Sequence, residues 1–242
     1  MGECGYSAHV SASGPSGSSP LPIMDRTLSK QAARTYYERF ADKQDQQGWY
    51  EDAALERLIA GGSFGQAEAV LELGCGTGRL AQQLLDRQLS PDARYLGLDI
   101  SQAMLALAAT RLAARSNRAH LAHADATAGF PLADRSVDRC IAAYLLDLLS
   151  RGEALALIGE AKRVLVPGGL FCVASLTKSG GGLAGLGSWI WAGVQRLAPQ
   201  WVGGCRPVHI AELLDDRDWE VLSRETVTPC GVASQIVIAR RR

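Results

Sequence analysis

The stretch Val70-Leu-Glu-Leu-Gly-Cys-Gly-Thr-Gly-Arg79 decides the fold. Ala69-Val-Leu-Glu-Leu73 reads as a buried strand, Leu80 to Arg87 as a helix, and the glycines at 74, 76 and 78 as the turn between them. Glycine lets the backbone bend sharply and lets a ligand lie against bare main chain. The spacing is GxGxG, whereas a dinucleotide fingerprint reads GxGxxG. Arg79 stands where that fingerprint has its third glycine, so a pyrophosphate is poorly accommodated and a nicotinamide oxidoreductase is disfavoured. A P-loop is excluded, because no Gly-Lys-Ser/Thr follows.

Working outward, short apolar runs alternate with longer amphipathic ones. Tyr95-Leu-Gly-Leu-Asp99 is a second strand and 102–115 its helix; His120 to Ala124 is a third strand. Val137 to Tyr144 is a fourth, followed by a helix over 153–165 that Gly168-Gly169 is expected to stop. Leu170 to Leu176 is a fifth. After a helix over 208–216, Trp219 to Val227 and Gln235 to Ala239 read as a hairpin-like pair completing the sheet. Strands alternating with helices predict an α/β fold with a parallel sheet covered on both faces. Ligands in such sheets sit at the carboxyl ends of the strands, at the topological switch point. The chemistry is therefore expected at 74–79, 99–101, 125–127 and 144–148.

The rest of the chain bounds the function. Of residues 1–22, thirteen are Gly, Ser or Pro, a composition that cannot bury enough apolar surface to order itself, so 1–27 is expected to be a disordered tail. That leaves roughly 215 residues, enough for one α/β domain. Residues 28–62 read as a helical cap, interrupted at Gly48 and stopped by Gly61-Gly62. The 25 basic and 25 acidic side chains balance, which removes the global charge of a nucleic-acid-binding protein. There is no transmembrane run and no signal-peptide pattern. The six cysteines contain no CxxC pair, so neither a metal site nor a disulfide framework is expected, and the reading is a cytoplasmic protein with reduced thiols.

Three acids stand at strand ends. Glu72 interrupts an apolar strand just before the turn; it either caps the strand end or holds negative charge near a cationic ligand. Asp99, about 20 residues past the turn, suits ribose hydroxyls. Asp125, with the next backbone N–H, suits an adenine edge. Together they describe an adenosine pocket without a phosphate clamp.

Glu72 to Gly78, Leu98-Asp-Ile-Ser101, Ala124-Asp125, Asp138 to Tyr144 and Arg163-Val-Leu-Val-Pro-Gly-Gly-Leu170 resemble, in order, the motifs of class I S-adenosylmethionine-dependent methyltransferases. The resemblance implies a doubly wound, Rossmann-like, mostly parallel seven-stranded sheet with the last strand antiparallel. It covers about residues 67–176 and is specific for cofactor and fold, not for substrate. It implies that Gly74, Cys75 and Gly76 lie against the methionine part of S-adenosylmethionine, with Glu72 nearby. Asp99 would hold the ribose. Ile100 and Met104 would sandwich the adenine, and Asp125 and Ala126 would read its edge. Tyr144 would border the sulfonium through its ring face; core packing is the alternative. The segment 36–50 distantly resembles the lid of quinone-biosynthesis-type methyltransferases. By that analogy Tyr37, Lys43 or Trp49 would touch the cofactor carboxylate or close over the substrate, although Gln44 replaces the tyrosine of the usual Lys-Tyr-Asp.

Methyl transfer needs alignment and exclusion of water more than it needs a triad, and a general base only where the nucleophile must lose a proton. Asp147 and His209 are the two candidates. Asp147 is otherwise a helix N-cap and His209 a surface imidazole. Leu183 to Trp201, with Trp189, Trp191 and Trp201, is expected to cover a small, apolar or amphipathic methyl acceptor; a core helix or a homodimer contact is the alternative. The competing functions are methylation of protein or RNA, and a cofactor-binding regulatory protein without turnover.

Overall fold

In the computed structural model, residues 48–177 and 207–242 are described. The disordered-tail expectation for 1–27, the first half of the cap, Tyr37, Lys43, and most of the 177–210 insert with its tryptophans lie outside them.

Seven strands form one sheet in the order β3-β2-β1-β4-β5-β7-β6. They are β1 (Ala69–Leu73), β2 (Arg94–Asp99), β3 (Ala119–His123), β4 (Val137–Ala143), β5 (Leu165–Leu176), β6 (Trp219–Val227) and β7 (Ser234–Arg241). β1 pairs in parallel with β2 and β4, β2 with β3, and β4 with β5. β7 enters antiparallel between β5 and β6. The helices are α1 (Gly48–Gly61), α2 (Arg79–Arg87), α3 (Gln102–Arg111) and α4 (Arg151–Val164).

The central strands are apolar without alternation because both faces are covered. On one face Val70, Ile141, Cys172, Ile236 and Ile238 meet Ala54, Leu55 and Leu58 of α1 and Leu80, Ala81 and Leu84 of α2. On the other, Leu71, Leu73, Phe171, Val173 and Val237 meet Ala154, Leu157, Ile158 and Ala161 of α4. Trp219 closes that second core and stacks at a tilt on Phe171, with ring centroids 5.4 Å apart.

Several boundaries differ from expectation, each for a local reason. α4 begins at Arg151 because Ser150 forms a capping box with Glu153. Asp147 is therefore not the N-cap. α4 ends at Val164, before Gly168-Gly169. Pro167 pushes its predecessor out of helical geometry, and Gly168, with φ +79°, serves the turn leading into the paired part of β5. The helix expected over 208–216 shrinks to one 3-10 turn, Ile210–Leu213. The helix expected over 102–115 ends as α-helix at Arg111, with a 3-10 turn at Ala113–Arg115.

The sheet reverses its winding between β1 and β4. A crevice must open there at the carboxyl ends of the strands, and the glycine turn lies beside it.

Candidate active site

The glycine turn is built from the two directions its backbone must serve. Gly78 (φ +75°) caps α2, and a Cβ there would stand 3.1 Å from the Cβ of Ala108 on α3. Its missing side chain lets two helices touch. Gly76 (φ +52°) has the opposite surroundings, with nothing within 4 Å of a built Cβ. Its bare backbone faces the cavity, and its N–H donates to Asp99 Oδ2 at 2.8 Å. That bond ties the turn after β1 to the acid ending β2. Asp99 Oδ1 accepts from the Ser101 N–H at 2.8 Å, and Ser101 caps α3. Burial pushes the Asp99 carboxyl above its ordinary value, opposed by these backbone donors.

One cavity spans the switch point. Its lining includes Glu72, Gly74, Cys75, Gly76, Asp99, Ile100, Met104, Asp125, Ala126 and Tyr144. All ten sequence-expected cofactor residues within the described part therefore share one space. Asp125 Oδ1 accepts from the Thr127 N–H at 2.9 Å and from its hydroxyl at 2.7 Å, an Asx turn that fixes the loop after β3.

Three of these residues behave differently from what their sequence positions suggest. Glu72 is fully enclosed and accepts from the Tyr95 hydroxyl at 2.6 Å. Burial raises its carboxyl to about 8, against the lowering effect of Tyr95. At neutral pH burial therefore favours its neutral form over a standing negative charge. Burial likewise raises the Cys75 thiol, which is no nucleophile. Tyr144 leaves β4 in the left-handed region at φ +53°, a strained geometry for a bulky residue. It is held by its N–H to the Ala174 carbonyl (2.7 Å), by its hydroxyl beside Ser234 Oγ (3.0 Å), and by an edge-on contact with Tyr50, ring centroids 5.8 Å apart.

The general-base candidates separate. Asp147 is wholly buried in the 3-10 turn Leu146–Leu148, where its Oδ1 accepts from Ser175 Oγ at 2.9 Å. It adjoins the cavity between the lining residues Leu145 and Leu148 without lining it. His209 is exposed before the 3-10 turn at 210 and is not in the lining.

Among the cavity residues that sequence reading missed are Arg79 and Glu51. Arg79 donates from Nη2 to Glu51 at 3.1 Å and from Nη1 to Asp52, so the residue in the third-glycine position docks α1 onto α2. Glu51 is buried, lines the cavity and is raised by burial to about 7, against the lowering effect of Arg79. An acid in the first turn of a helix carries no signal in sequence. It becomes noticeable only when packing encloses it.

Residues 70–169 match the family described as "Methyltransferase domain". That stretch lies in a seven-stranded sheet with the strand order of the class I S-adenosylmethionine-dependent methyltransferase fold.

The matched stretch is similar to curated proteins in sequence and to solved structures in fold. The chain is 34% identical over 142 residues to a malonyl-[acyl-carrier protein] O-methyltransferase of Marinomonas sp. (strain MWYL1), covering 59% of this chain and 50% of that one. The chain spans about half the length of the curated relatives it matches. Those relatives are not the quinone-biosynthesis enzymes suggested by the segment 36–50. Among solved structures, the [4+2]-cyclase SpnF superposes with a TM-score of 0.70 at 19% identity, covering 89% of this chain and 97% of that one. The N-methyltransferase NodS from Bradyrhizobium japonicum WM9, in complex with S-adenosyl-L-homocysteine, superposes at 0.62 and 17% identity, covering 86% and 98%. At such identities the methyltransferase fold is shared, and the chemistry must be argued from the site. Among the described residues, no helix is long and apolar enough to cross a membrane, and no group of three or more His, Cys, Asp or Glu is placed to hold a metal ion.

Proposed function

We propose that the chain is a methyltransferase that uses S-adenosylmethionine to methylate a small, apolar or amphipathic acceptor. The observation that carries this reading is the Gly76-to-Asp99 bond at the edge of the cavity, which joins a bare-backbone surface to an acid placed for a ribose. A nucleoside fits this donor set. Asp99 keeps lone pairs for two hydroxyls, and Ile100 and Met104 supply apolar faces for a base. Asp125 and the Ala126 N–H present an acceptor and a donor to its edge. Gly74, Cys75 and Gly76 offer backbone to the amino-acid end, with Glu72 behind them. Tyr144 offers a ring to the sulfonium. Tyr37 and Lys43 are assigned to the carboxylate by the family resemblance alone.

When bound, the cofactor supplies an electrophilic methyl group. The chain's own residues then hold the donor, fix the line of attack and keep water out. Where the acceptor must lose a proton, Asp147 is the nearer of the two candidate bases, and His209 has no contact with the cavity to support it. Calorimetric titration with S-adenosylmethionine, S-adenosylhomocysteine and NAD tests the reading. The first two should bind and NAD should not.

The malonyl-[acyl-carrier protein] relatives favour a second reading, in which the acceptor is a carboxyl group on a carrier-bound acyl chain. In the described part of the cavity, the lining holds five carboxyl side chains (Glu51, Glu72, Asp99, Asp125 and Glu153) and one guanidinium, Arg79, which Glu51 already engages. That balance suits a neutral or cationic acceptor better than an anionic one. Methyl incorporation into a malonyl thioester, compared with neutral amphipathic alcohols and amines, separates the two.

A further inference from the structure

Among the described residues, Glu51 is the one cavity carboxyl that comes from outside the matched domain. α1 carries it across the mouth of the glycine turn, where Arg79 reaches back from the start of α2. Arg79 is shared between Glu51 and Asp52, so this small cluster holds two carboxyls against one guanidinium. The groups facing Glu51 are Tyr50 on its own helix, Arg79 on α2, and Asp147 and Tyr144 after β4. Tyr144 lines the same cavity as Glu51, and its ring meets edge-on that of Tyr50, the chain neighbour of Glu51; Tyr144 is the residue proposed above to face the sulfonium.

We infer that Glu51 reads the charge of the ligand: together with Glu72 it favours the sulfonium-bearing donor over the neutral thioether left after transfer. The inference rests on the proposed function and deepens it. Donor and product share the nucleoside, the ammonium and the carboxylate, and differ by one methyl group and one positive charge. A carboxylate near that charge, inside a desolvated cavity, acts on the donor alone. Methyl transfer removes the charge, so the ligand loosens as a consequence of the chemistry. The raised carboxyl of Glu51, near 7, fits this role. A buried acid close to half-ionised can shed its proton when a cation arrives and take it back when the cation is gone.

The test is calorimetric titration of the full chain with S-adenosylmethionine and with S-adenosylhomocysteine, for wild type, Glu51→Gln and Glu51→Asp. The expected result is about a tenfold loss of donor affinity in Glu51→Gln with less than about a twofold loss for the product. Glu51→Asp should recover most of the donor affinity. Donor affinity should also rise from pH 6 to 8 more steeply in wild type than in Glu51→Gln. Equal losses for both ligands, or no loss for either, overturn the inference while leaving the proposed function standing. Failure of the wild type to bind either ligand overturns both. Thermal denaturation of each variant checks that α1 stays docked, since Asp52 still holds Arg79.

Discussion

The two ends of this sheet use buried charge in opposite ways. At the amino ends, Arg139 Nε donates to the Gly62 carbonyl at 2.7 Å and Nη2 to that of Ser63 at 2.9 Å, while Nη1 reaches Asp138. Asp138 Oδ2 accepts from the Glu68 and Ala69 N–H groups at 2.7 and 3.0 Å. This network closes on itself, tying the end of α1 to β1 and β4. At the carboxyl ends, Glu51 and Glu72 are buried and Asp99 is half-buried, all three with raised carboxyls, and Tyr144 stands in strained backbone. The first end spends its charges on holding strands in place. The second keeps groups that a ligand would relieve, which is the expected mark of a functional site.

Breaking the closed network should give the largest effect on stability. Arg139→Met removes the guanidinium from two carbonyls and from Asp138, and should cost about 3–4 kcal/mol in urea denaturation. Ligand affinity of the folded fraction should not change. A loss of affinity without a loss of stability would erase the contrast between the two ends.

Glu72→Gln should act in the other direction on the ligand-free protein. The Glu72 carboxyl sits near 8 in the fold and near 4.5 when the chain is unfolded, so the folded state binds the extra proton. Wild-type stability contributed by this site is intact below 4.5 and declines as the pH rises to 8. The glutamine variant keeps an acceptor for Tyr95 and lacks that decline. It should be more stable than wild type by about 2 kcal/mol at pH 6 and equal to it near pH 4. Parallel stability curves would mean that Glu72 is not held neutral. Donor binding should weaken in the same variant, the opposite sign from stability.

The smallest effect belongs to the clamp on Tyr144. Tyr144→Phe removes the hydroxyl from Ser234 and should cost about 1 kcal/mol in thermal or urea denaturation. A much larger loss would mean that the hydroxyl, rather than the ring contact with Tyr50 and the bond to Ala174, maintains the left-handed backbone.

The fold and half of this site were legible in the sequence for one reason: their information is local. The strand, the glycine turn and the helix lie within twenty residues, and Asp99 and Asp125 follow their own strands directly. β1 and β6 match their expected limits, Ala69–Leu73 and Trp219–Val227, because each is bounded by turn residues. The remainder is made by packing across the chain. Tyr144 and Ser234 are 90 positions apart, Arg79 and Glu51 are 28 apart, and Tyr95 and Glu72 are 23 apart. No periodicity encodes such meetings. Asp147 shows the same limit: the sequence offered a helix cap or a poised acid, the cap is Ser150, and the Ser175 hydroxyl that packing brings to Asp147 lies 28 positions away.

The central claim is that the crevice between β1 and β4 holds a nucleoside whose ribose hydroxyls sit on Asp99. Calorimetric titration of S-adenosylmethionine into wild type and Asp99→Asn measures this most directly. The account predicts binding to wild type and a loss of about tenfold or more in Asp99→Asn, since each hydrogen bond to an ionised acceptor contributes about 1.5–3 kcal/mol. Equal affinity in the two proteins, or no binding to wild type, would contradict it.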